Sequence, residues 1–138
     1  MIDIEAKVFD TVAAALRAAF PGIYVAGEYV EAPSSFPAVT LTENSNTVMT
    51  KMRTAYAIEN GVSVMYEANV YSNKTSGKKA EAKAVLRKLD EQMLGMGFTR
   101  MFSGAVPNYA DATIYRITAR YEAVVLPEGE NHYRVYTN

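Results

Sequence analysis

Three observations in the sequence predict an α+β fold in which two helices pack on one face of an antiparallel sheet. Two segments alternate with a period of two: Val62, Val64, Tyr66, Ala68 and Val70 against Ser63, Met65, Glu67, Asn69 and Tyr71, then Tyr115, Ile117, Ala119, Tyr121, Ala123 and Val125 against Arg116, Thr118, Arg120 and Glu122. Successive side chains of a strand point to opposite faces, so each segment reads as a strand with one face buried. Two further segments carry an apolar stripe at helical spacing, Ile4, Val8, Val12, Leu16 and Ala19 in one, and Ala82, Val85, Leu86, Leu89 and Met93 in the other. The resulting order, α-β-β-β-α-β-β with a short C-terminal strand, is that of a sheet covered on one side.

Taken in order, residues 3–19 form the first helix, with Asp3 as N-cap and Phe20-Pro21-Gly22 as its stop, because Pro disfavours helical geometry in the residue before it. Ile23-Tyr24-Val25 is a short strand. Gly27–Ser35 is a loop leading to a second strand, Phe36–Thr42, entered through Pro37, and Glu43-Asn44-Ser45-Asn46 carries turn chemistry. Thr47–Ile58, with Met49, Met52 and Tyr56 beside Lys51 and Arg53, reads as strand, an arm of a hairpin. After the first alternating strand, Ser72–Lys79 is a polar connection in which Ser76 serves as cap for a helix over residues 76–94, ended by Gly95 and Gly97. Phe98–Phe102 is a strand, Ser103–Asp111 a loop, Thr113–Val125 the second alternating strand, and His132–Tyr136 the last one.

A chain of 138 residues fits one domain spanning residues 1–138, and 49% hydrophobic against 21% charged residues is globular usage, too apolar for disorder. Fourteen basic and fifteen acidic residues give a net charge of −1, which removes the broad positive field of a protein that grips duplex nucleic acid without sequence preference. With no cysteine there is no disulfide, thiolate ligand or cysteine nucleophile, a usage that suits a reducing compartment. Met1-Ile2-Asp3-Ile4-Glu5 has neither the basic nor the apolar region of a secretory signal, and the longest uncharged stretches are too short for a membrane span, so neither export nor a membrane location is expected.

The residues also argue against catalysis. His132 is the one histidine and has no partner motif; Asp3, Glu5, Asp10, Glu81, Asp90 and Glu91 occupy polar helix faces, where carboxylates ordinarily solubilise. Ser72–Lys79 places Gly and lysines before a helix but lacks the phosphate-loop pattern; it is a solvated loop whose Lys74, Lys78 and Lys79 are candidates for contact with an acidic partner or with nucleic acid in a lumen. Glu28, Glu31, Asp111 and Glu128 have no metal-ligand spacing, so no catalytic residue, cofactor or metal is expected. Met49, Met52, Tyr56, Met65 and Tyr71 are more apolar than a solvated sheet face requires and are candidates for a subunit interface.

In its opening helix followed by Ile23-Tyr24-Val25 and Phe36-Pro37-Ala38-Val39, and in the run from Val62 through Asn73 into the second helix, the chain resembles the tail terminator, or tail completion, proteins of long-tailed bacteriophages. The resemblance covers nearly the whole chain and rests on overall pattern, with no short diagnostic motif. It implies a virion protein, assembled in the host cytoplasm and located at the head-proximal end of the tail. There it would form a hexameric ring on the last ring of tail-tube protein, end tube polymerisation and present a surface to the head-tail connector. On this reading the segment from Asn44 to Asn60 reaches a neighbour or the tube, and Lys51 and Arg53 lie near a lumen through which DNA passes. Ring closure uses two different faces of each subunit, which makes exposed sheet edges useful. The competing readings are a neck or head-completion protein, a small α+β enzyme built on His132, Arg116, Arg120 and Glu122, and a ligand-binding module with an enclosed apolar cavity.

Overall fold

Helix α1, Glu5–Ala19, opens the fold, and strands β1 (Tyr24–Ala26), β2 (Ala38–Val48) and β3 (Val62–Ser72) follow it. Then come helix α2 (Lys78–Gly95) and strands β4 (Thr99–Val106), β5 (Tyr115–Gly129) and β6 (His132–Val135). This is a computed structural model that describes residues 1–49, 60–108, 111–129 and 132–135, with the backbone alone for residues 128, 129 and 132. Met52, Tyr56, Lys51 and Arg53 lie outside the described residues, as does most of the expected hairpin arm.

The six strands form one sheet in the order β1-β2-β3-β5-β4, and β6 continues the β4 edge by pairing with the far end of β5. Every pair is antiparallel except β1 with β2, where Tyr24 lies opposite Ala38 in parallel register. The predicted alternation places the core. Val62, Val64, Tyr66, Ala68 and Val70 of β3 and Ile117, Ala119, Tyr121, Ala123 and Val125 of β5 are buried against Val8, Val12 and Leu16 of α1 and Ala82, Val85, Leu86, Leu89 and Met93 of α2. Both helices therefore cover the same face. Ala19 is exposed, and Ala13 takes its place in the stripe, because a 3.6-residue period drifts over four turns.

Several boundaries differ from expectation for identifiable reasons. Ile4 holds the N-cap position of α1 and Asp3 acts from one residue earlier, its Oδ1 accepting the Glu5 amide at 3.0 Å. Ser76 does not cap α2; Gly77, with φ of 84°, holds that position with no side-chain bond. The helix is instead anchored one turn in, where Ser72 Oγ donates to Glu81 at 2.7 Å. The turn expected at Glu43–Asn46 is strand: Asn44 is absorbed as a one-residue bulge between Glu43 and Ser45, and pairing with β3 resumes beyond it. Likewise Ser103–Val106, expected in a loop, extends β4 because the unusually long β5 offers a free edge opposite it, Ala105 facing Ile117 and Val106 facing Arg116.

Candidate assembly surfaces

The sheet face away from the helices is where the chain's polar groups converge. Asn69, only 3% exposed, sits at its centre. Its Oδ1 accepts from Arg116 Nε at 2.9 Å and from Thr118 Oγ1 at 2.6 Å, and its amide donates to Glu67 at 3.3 Å. Glu67 in turn holds Arg120 Nε at 3.1 Å, and Ser63 donates to Glu122 at 3.1 Å. Two guanidinium groups lie over aromatic rings, Arg116 at 5.7 Å from the Tyr71 centroid and Arg120 at 6.0 Å from that of Phe102. Strand alternation explains the arrangement: the in-register rows Glu67–Arg120 and Asn69–Thr118 put opposite or complementary groups side by side. Among the described side chains of this network, Arg116 and Arg120 are matched by Glu67 and Glu122, so it mixes both signs of charge with no excess of positive groups.

Of the interface candidates, Met65 lies half-buried on this face between Ser45 and Glu122, and Met49, just past β2, is half-buried with its amide bonded to Gly61. Tyr71 is 2% exposed and is taken up by the chain's own packing, so it offers a partner almost no surface. Burial, the largest influence on its hydroxyl, raises that group's pKa. Among the lysines, Lys74 and Lys79 are exposed, while Lys78 is partly committed to the chain, its Nζ donating to the Thr113 carbonyl at 3.2 Å. Arg116, Arg120 and Glu122 do not gather around a pocket. They are spread along one strand and each is already bonded to a β3 side chain.

Side chains for which the sequence predicts no binding role cluster along the two edges of the sheet. A transverse row runs Glu43, Tyr66, Tyr121, Arg100 across β2, β3, β5 and β4, on the helix-covered face. The two tyrosines are buried and their hydroxyls point to opposite edges, Tyr66 donating to Glu43 at 3.2 Å and Tyr121 to Asp90 at 2.8 Å. Burial, first, and these carboxylates hold both phenols protonated far above their ordinary range. At the β2 edge the carboxylates of Asp3, Glu5 and Glu43 lie within 4.8 Å of one another. Burial, reinforced by the charge of Glu5 and opposed by the hydrogen bond from Tyr66, leaves the Glu43 carboxyl above its usual value. At the β4 edge, Arg100 pairs with Asp90 at 2.9 Å and remains 45% exposed. Met101 is an unmatched bulge residue between Arg100 and Phe102, and both hydrophobic side chains are exposed. No local pattern reveals these clusters, because Glu43 and the opening of α1 meet only through the fold.

Cavities are modest. One of about 270 Å³ lies between α1, the start of β4 and β6, with Ile4, Val8, Phe98 and Tyr133 on its walls. Another, of about 500 Å³, opens beside Val106, Tyr115 and Arg116. Neither brings together an acid, a base and a nucleophile. Among the described residues no helix is long and apolar enough to cross a membrane.

No protein-family model and no curated protein matches this chain. A solved structure does, a chain from the "virion of native gene transfer agent (GTA) particle", with a TM-score of 0.63 over 96% of this chain and 93% of that one. The two chains share one fold. At 16% identity the likeness is one of backbone, and it runs nearly from end to end.

Proposed function

We propose that this chain is a structural virion protein that closes the head-proximal end of a tail tube as a ring, ends tube growth and forms the tail side of the junction with the head. The observation that carries the reading is the fold it shares, over almost the full length of both chains, with a chain of a gene transfer agent virion. The surfaces are consistent with it: one sheet face is sealed by helices, the other carries a balanced polar network, and two strand edges stand free of pairing among the described residues. In this role the chain's partners are further copies of itself, six to a ring, with the tube protein below and the connector above. DNA passes through the lumen, and no cofactor takes part.

The test is the mass of the purified protein by light scattering, with electron microscopy of the same sample, before and after addition of tail tubes. The expected result is a six-membered ring, either preformed or formed on tube ends. A chain that ignores tubes and binds isolated connector rings would replace this reading with that of a neck protein. Deletion of residues 47–57 is expected to abolish ring formation or docking, and a deleted chain that still caps tubes would remove that segment from the mechanism.

A further inference from the structure

The two free edges of the sheet match one another in direction, in position and in charge. β2 and β4 occupy opposite sides and run in opposite directions, since β2, β3, β5 and β4 are successively antiparallel. A second copy placed beside the first in the same orientation therefore brings its β2 antiparallel to this copy's β4. β1 covers only Ala38–Thr40 of β2; beyond it the opening residues of the chain reach the strand, Asn46 Nδ2 donating to the Ile2 carbonyl at 2.8 Å, yet Asn44–Val48 stay exposed and have no partner strand on that side among the described residues. The row that begins at Glu43 ends at Arg100 at the same height and on the same face. Three clustered carboxylates stand at one end, and at the other the Arg100 side chain, which bonds Asp90 through one nitrogen and stays 45% exposed.

Both edges are bulged next to this row, at Asn44 and at Met101. A bulge on an edge strand shortens the stretch that can pair and increases its twist, which discourages indiscriminate ladder growth and leaves recognition to side chains. Phe102 is fixed for such a role. Its ring lies on Gly104, where a Cβ would meet it at 3.0 Å, and Arg120 covers it from above, yet the side chain stays 47% exposed.

We infer that the β4 edge around Arg100, Met101 and Phe102 docks against the β2 edge of a second copy, with Arg100 received by Asp3, Glu5 and Glu43 of the neighbour. The contact is head-to-tail, so repetition generates a closed ring or a filament and never a two-fold dimer. It rests on the ring reading above and specifies how its subunits join.

The chain has no cysteine, which makes cross-linking a direct test. Within one chain residues 43 and 100 are three strand spacings apart, about 14 Å, whereas a disulfide needs Cα atoms within about 7 Å. Glu43→Cys combined with Arg100→Cys, oxidised with and without tail tubes, is expected to yield a ladder of covalent oligomers ending at the ring. Each single variant should stay uncrosslinked, and an equimolar mixture of the two should give heterodimers only. Efficient dimers from Arg100→Cys alone would overturn the proposal in favour of a symmetric β4 contact. A ring seen by microscopy with no ladder would overturn this contact and leave the ring reading intact, whereas no assembly of the unsubstituted chain, with or without tubes, would overturn both. A second variant avoids the Arg100–Asp90 pair: Glu5→Lys alters an exposed side chain and is expected to keep the thermal melt of the isolated chain while ring formation is lost. A Glu5→Lys chain that assembles normally would remove the acidic edge from the contact.

Discussion

Asn69 shows how one side chain organises a surface. A buried amide with three partners is stable only while all are present, and replacement by Ala leaves the Thr118 hydroxyl, itself 4% exposed, without its acceptor and loosens Arg116. Asn69→Ala should cost about 1–3 kcal/mol in a denaturant titration, the penalty for orphaning buried polar groups. A loss within error of zero would mean that the network forms only in the presence of a partner. Glu43 illustrates the opposite economy. The folded chain holds its proton more tightly than the unfolded chain does, burial being the first cause, so the stability this group contributes is complete below the unfolded pKa near 4.5 and is lost as pH rises through the higher folded value. Glu43→Gln keeps an acceptor for Tyr66 and removes the titration. Its melting temperature relative to the parent, both as isolated chains, should therefore rise between pH 4.5 and pH 7; an offset independent of pH would show that folding does not raise the Glu43 pKa.

At the level of elements, α2 is the piece on which the core depends, because its stripe meets both central strands and α1. Leu89 has no exposed surface, and Leu89→Ala should cost about 2–5 kcal/mol, the range for a buried leucine whose cavity cannot collapse. The start of the same helix is limited by backbone geometry alone: Gly77 has φ of 84° and open space where a Cβ would stand, so Gly77→Ala should cost about 1–2 kcal/mol through conformation with no clash. Chemical denaturation of both variants checks the contrast. These elements also show what a sequence can display. The stripes of α1 and α2 and the alternation of β3 and β5 were legible because each residue of a two-layer fold answers locally to one buried face. The extension of β2 through Asn44–Asn46 and of β4 through Ser103–Val106 was not, because those residues have turn or loop composition and become strand only through a partner already in place. The Asp3–Glu5–Glu43 cluster and its counterpart Arg100 were hidden for the same reason, being products of strand order.

At the scale of the whole molecule, the described residues form a helix-covered face opposite a networked face and leave two strand edges without a partner strand, which the proposed ring would use. If the chain closes a ring on a tube end, its folded state is the only one the tube recognises, and binding must then raise apparent stability by mass action. With tube ends present at about one hundred times the dissociation constant the gain is about 2.7 kcal/mol, since stabilisation grows as the logarithm of occupancy. For a domain between the small and medium size classes this corresponds to a rise in melting temperature of roughly 5–15 °C. The parent chain should show that shift by differential scanning fluorimetry on adding tubes with open ends, and little of it on adding tubes already capped. Glu5→Lys should lose the shift while its own melting temperature stays in place, because the substitution touches an exposed edge and leaves the core of α1 unaltered. A shift that persists in that variant would mean that the tube surface holds each subunit independently of its neighbours, and a shift equally large with capped tubes would place the binding surface along the tube wall.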